Sequence, residues 1–455
     1  MFKKIFSKTI PRKMAVALLI MLIFLSSMFS GCIRKENSGS TENVVINLSS
    51  EDMNASLDLA ETWLISNLRE EGYFNYMYDP EKEEYPDKNN MIRQLMASRL
   101  LAEMSQMNSS LEELHQKNLD YIFEHWYKED NEKGHGYIYY DEKSKLGAIA
   151  MGLRTLVYSP FFDNYRKNAT KLANTILYLQ NDTDGSFEPW FIEPVYDYDE
   201  SYLLTFYSGE AILSLVEMYS KTGNATYLNA AIKSQDFYLG KYVTNLEENY
   251  YPAYVPWHTQ SLNKLYKITG EQKYADAIMV LNDKLLEIQD TSNNSTLGRF
   301  YDPSHPEYGT PHSSSDGVYT EGLAYAYEIA SLTNDAKHQG KYKTGIILGV
   351  HNLINLQYNN SDKKTNGAIR YSNDDYRLRI DTTQHAIDAF GKILDDFDGE
   401  WRYVYDSKSG ILAEHGLNEE ELPNDSVWYA LGIGTILSTV LLFAIYLIVR
   451  KKEHS

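Results

Sequence analysis

Five stretches of this chain gather ionisable, amide and hydroxyl side chains within a turn or two of a helix. Asn89, Asn90, Arg93 and Gln94 form the first, and Tyr207, Ser208, Gly209 and Glu210 the second. Trp257, His258, Thr259 and Gln260 form the third; Asp316, Gly317, Tyr319 and Glu321 the fourth; Asp381, Thr382, Thr383, Gln384 and His385 the fifth. An apolar core has no use for this mixture, because every buried polar group needs a partner. Each stretch alone has an ordinary explanation. Asp316 and Asp381 suit helix caps, and Glu210 and Glu321 suit first-turn acids favoured by the helix dipole. Arg93 suits a partner for a core carboxylate, and His258 and His385 suit satisfied interior histidines. Repetition of one placement in five segments is what points to a site.

Two chemistries fit these residue types. Glycoside hydrolysis needs a protonated acid at the leaving oxygen and a second carboxylate to activate water or attack carbon. Glu210, Asp316, Glu321 and Asp381 are the candidates, with Asp199 and Glu200 on the preceding loop in reserve. Proton abstraction beside a uronate carboxylate instead uses Tyr or His as base and acid, while Arg, Gln or Asn neutralises the developing charge. Tyr202, Tyr207, His258, Arg93 and Arg379 suit those roles. For substrate binding, Trp190, Tyr202 and Trp257 offer faces to sugar rings. Arg93, Gln94, Gln260, Arg379, Gln384 and His385 offer hydrogen bonds to hydroxyls. The leading expectation is a glycoside hydrolase. The alternatives are a uronate epimerase or lyase, and a non-catalytic glycan-binding envelope protein that has kept the cleft.

The elements that must position these residues are helices. Between Ser50 and Phe397, apolar residues recur at i, i+3, i+4 and i+7, as in Ile212, Leu215, Val216 and Tyr219. The pattern predicts about twelve helices, near 52–70, 89–107, 110–127, 145–158, 164–180, 207–221, 225–243, 256–269, 272–289, 315–332, 335–357 and 381–395. Two junctions match each other: Thr222-Gly223 and Thr269-Gly270 each end a helix with a glycine suited to a left-handed cap. A Tyr and an Ala follow in each, Tyr227 and Ala230 in one, Tyr274 and Ala277 in the other. The alternate junctions are long and aromatic, as in Gly134 to Tyr140, Asp184 to Trp190, Gly298 to Gly309 and Gly367 to Tyr371. Alternating short and long connections put every long loop at one end of a closed ring. An open array of helical repeats is the alternative, and it leaves that alternation unexplained.

At this point the sequence resembles a family. Asn90-Met-Ile-Arg-Gln94, Lys145-Leu-Gly147, Tyr207-Ser-Gly-Glu-Ala211, Glu321-Gly-Leu323 and Arg377 through His385 look like six-hairpin (α/α)6 glycosidase-type proteins. Within that superfamily the chain is similar to the helical domain of glucuronyl epimerases. The resemblance covers roughly residues 55–395 and implies an all-α (α/α)6 toroid that works on carbohydrate.

Composition narrows the partners. A net charge of −20 argues against nucleic acid, because phosphate binding needs a basic surface. With 38 Tyr and six Trp, there is ample aromatic surface for both hairpin packing and sugar stacking. A polysaccharide or glycan is the expected partner. No His-Glu-x-x-His run, glycine-rich phosphate loop or Gly-x-Ser-x-Gly elbow stands in the chain, so no metal or cofactor is expected.

The two ends read differently from the body. Lys3, Lys4, Lys8, Arg12 and Lys13 precede an apolar run from Met14 to Phe29, as in a signal peptide. Ser30-Gly31-Cys32 then resembles a lipobox, which makes Cys32 a candidate for lipidation. As Cys32 is the only cysteine, no disulfide forms within the chain. Val427 to Val449 is long enough to cross a bilayer, with Trp428 and Tyr429 at one edge and Arg450, Lys451 and Lys452 at the other. Sequons begin at Asn47, Asn54, Asn108, Asn168, Asn181, Asn224, Asn293, Asn294, Asn359 and Asn424, all between the two runs. The expectation is a cell-membrane protein with its main domain on the extracytoplasmic side. Its divisions are a signal segment 1–32, a polar linker 33–50, the toroid 51–397, a juxtamembrane linker 398–426, a transmembrane helix 427–449 and a tail 450–455.

Overall fold

The computed structural model describes residues 43–397, 399–406 and 412–413. Twelve helices of ten residues or more make up the described body. They are α1 Ser50–Ser66, α2 Met91–Met107, α3 Glu112–Tyr121, α4 Leu146–Val157, α5 Phe162–Tyr178 and α6 Glu200–Thr222. α7 Ala225–Leu239, α8 Tyr254–Thr269, α9 Gln272–Leu285, α10 Ser313–Leu332, α11 Ala336–Leu356 and α12 Ile380–Asp395 complete the set. The even-numbered helices form an inner ring in which each packs on the next and α12 packs back on α2. The odd-numbered helices lie outside them. α3, α5, α7, α9 and α11 each follow their inner partner through a short turn, while α1 packs on α12. The first helix of the chain thus completes the last hairpin.

Burial follows this layering. All of α4 is buried, because an inner helix has neighbours on every side. α5 buries only one stripe, Phe162, Ala169, Leu172, Ala173, Thr175 and Ile176, and gives the rest to water. The two matching junctions behave as the sequence predicts. Gly223 (φ 72°) and Gly270 (φ 70°) hold left-handed caps, and their N–H groups donate to Tyr219 O and Tyr266 O.

The helical toroid also carries nine short strands among the described residues. They are β1 Asn43–Leu48, β2 Met77–Tyr78, β3 Tyr127–Asp130, β4 His135–Ile138, β5 Ser144–Lys145, β6 Trp190–Ile192, β7 Leu378–Arg379, β8 Trp401–Asp406 and β9 Leu412–Ala413. β2 pairs with β7, β3 with β4 and β5 with β6, all in the long loops. β1 and β8 pair antiparallel from Asn43↔Asp406 to Leu48↔Trp401, and β9 adds to β8. Residues 43–48 and 401–406 were expected to be linker. Their alternation is short, but it turns Ile46, Leu48, Trp401 and Tyr403 into the core.

The membrane placement is also corrected. Among the described residues no helix is long and apolar enough to cross a membrane. The apolar runs 14–29 and 427–449, Cys32 and Asn424 lie outside the described residues.

Candidate active site

Helix α6 sets the depth of the site. It begins at Glu200, seven residues before the expected start, because the Asp199 side chain caps it by accepting from Tyr202 N. Glu210 and Tyr207 therefore sit two to three turns inside the helix, and Tyr202 and Phe206 rise above them as a wall. The inner helices approach closely where their facing residue is glycine. A Cβ at Gly147 would stand 2.3 Å from Glu210 Oε2, one at Gly209 2.5 Å from Trp257 Cβ, and one at Gly317 2.8 Å from His385 Cβ. The inner helices all enter from the long loops, so their N-termini surround one axial cavity of about 360 Å³. Its aromatic side is Tyr202, Phe206, Tyr251, Trp257, Tyr308 and Tyr319; its polar side is Arg93, Lys145, Glu210, His312, Asp381 and His385. A second hollow of about 420 Å³, at Tyr73, Tyr121 and His125, is an open surface trough whose polar groups are ordinary surface acids and a lysine.

Asp381 is the most heavily bonded group on the wall. Arg93 Nε donates to Oδ2 at 2.7 Å and Arg379 Nε to Oδ1 at 2.8 Å, and Ser314 Oγ donates to Oδ2 at 2.7 Å. Burial opposes its charge, but Arg93 and Arg379 outweigh burial and hold the carboxyl well below the usual range. It stays ionised and saturated.

Glu210 is the opposite case. It is buried, its Oε2 has no hydrogen-bond partner, and it makes no ion pair among the described residues. Burial pushes its carboxyl up to about 8, against the pull of Arg154, Arg93 and Lys145. At neutral pH it is a proton donor facing the cavity. Tyr207, beside it, is likewise pushed up by burial and by Glu210.

His385 has a carboxylate behind it. Its Nδ1 lies 3.2 Å from Glu321 Oε2, and Gln260 Nε2 donates to Glu321 Oε1 at 2.9 Å. Glu321 at Nδ1 orients the ring and leaves Nε2 as the nitrogen for a ligand, while burial and then Asp388 push the Glu321 carboxyl up against the pull of His385 and Arg99. Donor atoms of Glu321, His385 and Asp388 lie within 4.8 Å of one another, a set that a divalent cation would accept. Arg99 Nη2, 2.5 Å from Asp388 Oδ2, already supplies a positive charge there.

His312 caps α10: its Nδ1 accepts from Ser315 N at 3.0 Å, and its ring stacks on Tyr371. Burial, then Arg379, brings its pKa down to about 4, so it is neutral.

Several residues expected in the site face elsewhere. Asp316 accepts from Phe300 N and Asn352 Nδ2, holding a long loop to α11, and burial raises it to about 7. His258 sits between Ser208 Oγ and Gln235 Nε2, and burial lowers it to about 3. Gln94 brackets the backbone of Phe74, and Gln384 donates to Asp388. Gln260 and Glu321 form the layer beneath His385. Trp190 is buried behind Lys145, whose ammonium stands 5.8 Å from its ring. Arg379 is committed to Asp381 and lies over the Tyr371 ring. Arg93, Tyr202, Tyr207, Glu210, Trp257, Asp381 and His385 do converge on the cavity. Lys145 and His312 were missed as site residues. Lys145 had a signal in the motif Lys145-Leu-Gly147, whereas His312 lies in a loop with none.

The sequence matches no protein-family model and no curated protein. Solved structures do resemble it. A D-mannose isomerase superposes with a TM-score of 0.59 at 11% identity, over 77% of this chain and 98% of that one. An unsaturated glucuronyl hydrolase from Streptococcus agalactiae gives 0.54 at 13%, over 77% and 94%. A family 76 α-mannanase from Bacteroides thetaiotaomicron gives 0.52 at 14%, over 76% and 98%. At such identities the likeness is one of fold: this chain shares the (α/α)6 toroid architecture of these structures.

Proposed function

We propose that this protein is a carbohydrate-active enzyme that transfers protons on a sugar held in the axial cavity. Glu210 is its acid, and His385, oriented by Glu321, is its base. The observation that carries this reading is the pairing of a neutral, unpartnered carboxyl with a carboxylate-backed imidazole on one cavity wall. General acid–base catalysis asks for a proton donor and a proton acceptor facing one substrate. A cavity of about 360 Å³ suits a ligand of one or two sugar rings. The structural neighbours named above, an isomerase, a glucuronyl hydrolase and a mannanase, support the carbohydrate class and leave the reaction open. The proton-transfer reading corresponds to isomerisation or epimerisation.

Hydrolysis is the second reading, favoured by a neutral Glu210 as donor to a leaving oxygen. It also needs a second carboxylate free to attack or to activate water. Asp381, the other buried carboxylate on the wall, is held by two arginines and a serine.

The test is incubation of the protein with neutral and acidic mono- and oligosaccharides in deuterium oxide, followed by NMR. Deuterium at a carbon-bound position without chain shortening is the expected result. Glu210→Gln and His385→Ala should each lower it by about 10²–10⁴-fold. Shortened products without carbon-bound deuterium would establish hydrolysis and sink the proton-transfer reading.

A further inference from the structure

Lys145 has no part in the acid–base pair, and among the described residues its ammonium meets the Trp190 ring at 5.8 Å but no carboxylate at ion-pair distance. It stands half-buried at the start of α4 on the cavity wall, and its ammonium makes no hydrogen bond or ion pair among the described residues. Burial, with the charges of Lys143 and Arg93, brings its pKa down despite Glu210 and Asp141. An ammonium withdrawn from water without a counter-ion costs free energy. Arg93 lies on the same wall. Its Nε is given to Asp381 and its Nη1 reaches the Tyr76 hydroxyl only at 3.4 Å, so its side chain stays 33% exposed.

The charges at this end of the cavity do not balance. Arg93, Arg379 and Lys145 stand against ionised Asp381, while Glu210 holds its proton. The N-termini of the inner helices converge on the same space and add positive potential. This happens inside a chain whose net charge is −20. Ring order separates two arcs. Arg93, Lys145 and Asp381 come from the α12–α2–α4 side, and Tyr202, Tyr251, Tyr308 and Tyr319 from the α6–α8–α10 side. A sugar in the cavity is thus bordered by tyrosines along one arc and by these cations along the other.

We propose that Lys145 and the free edge of Arg93 form a seat for an anionic substituent on the sugar, which makes acidic sugars the substrate class of this cavity. The inference rests on the proton-transfer site above and adds to it the residue that selects the ligand. A ring carboxylate, a sulfate ester and a phosphate ester share the chemistry that such a seat recognises. A carboxylate beside the reacting carbon would also have its developing charge answered by these cations.

The test is calorimetric titration of the whole protein with matched pairs: glucuronate and glucose, galacturonate and galactose, mannuronate and mannose. Glucose 6-sulfate, glucose 6-phosphate and inorganic sulfate are the further arms. The expected result is that at least one acidic sugar binds ten-fold or more tightly than its neutral partner. That preference is expected to disappear in Lys145→Gln and to return in Lys145→Arg, which keeps the charge and controls for misfolding. The strongest arm identifies the substituent. Inorganic sulfate binding as tightly as any sugar would overturn the claim that the seat serves a sugar. Equal binding within every pair, or a preference that survives Lys145→Gln, would overturn the anionic seat while leaving the sugar site standing. Binding of no ligand in the panel would overturn the seat and the sugar site together.

Discussion

A buried carboxyl with an unbonded oxygen keeps its proton well past the pH at which a free one loses it. Glu210 is such a group, with Oε2 unpartnered and its pKa near 8 in place of 4.5. The sign of the linked stability follows. Between those two values the folded chain holds a proton that the unfolded chain has released, so Glu210 favours folding below about pH 4.5 and loses that contribution as pH climbs towards 8. Thermal melts of wild type and Glu210→Gln at about pH 5 and about pH 8 measure this. The variant should gain on wild type at the higher pH; a difference that does not move with pH would show that Glu210 is ionised throughout. Turnover that uses Glu210 as acid should fall off above about pH 8 for the same reason.

At the scale of elements, Asp381 joins three inner helices at the cavity end. It stands on α12, takes Arg93 from α2 and Ser314 from α10, and is locked beside Arg379 of β7. Asp381→Asn leaves two guanidinium groups, one of them largely buried, without their counter-charge. Breaking a buried pair in this way costs about 3–5 kcal/mol. Urea unfolding should report that loss. A variant that kept its full stability and lost only turnover would instead put Asp381 in the chemistry and revive the hydrolase reading.

For the whole molecule, closure is the governing constraint. The ring is completed by α1 packing on α12, and the β1–β8 pair packs on the outer helix α11. Ile46, Leu48, Trp401 and Tyr403 are buried there. Removing residues 43–48 takes away the apolar burial of Ile46 and Leu48, about 1.5–3 kcal/mol each, along with the ladder to β8. A fall of several degrees in Tm with the cavity's ligand affinity unchanged is the expected outcome. Unchanged Tm would mean that the strand pair does not clamp the ring.

The sequence by itself determined the hairpin architecture, because helical periodicity and the Thr-Gly caps are local signals. The alternation of short and long connections then put the long loops at one end, and clusters of polar residues near inner-helix starts marked that end as the candidate site. It did not reveal the pairs β1–β8 and β2–β7, whose partners lie hundreds of residues apart with only a few residues each. Nor did it determine which polar residue faces the axis. Arg93 and Gln94 are neighbours in sequence, yet a step of about 100° around the helix puts one on the cavity wall and the other against Phe74. His385 and Gln384 divide in the same way, one to the cavity and the other to Asp388. Charge state was decided later still. Asp381 is ionised because Arg93, 288 residues away in sequence, folds against it, and Glu210 is neutral because no such partner arrives. Pairing across a ring is a property of the closed structure, and no local stretch of sequence contains it.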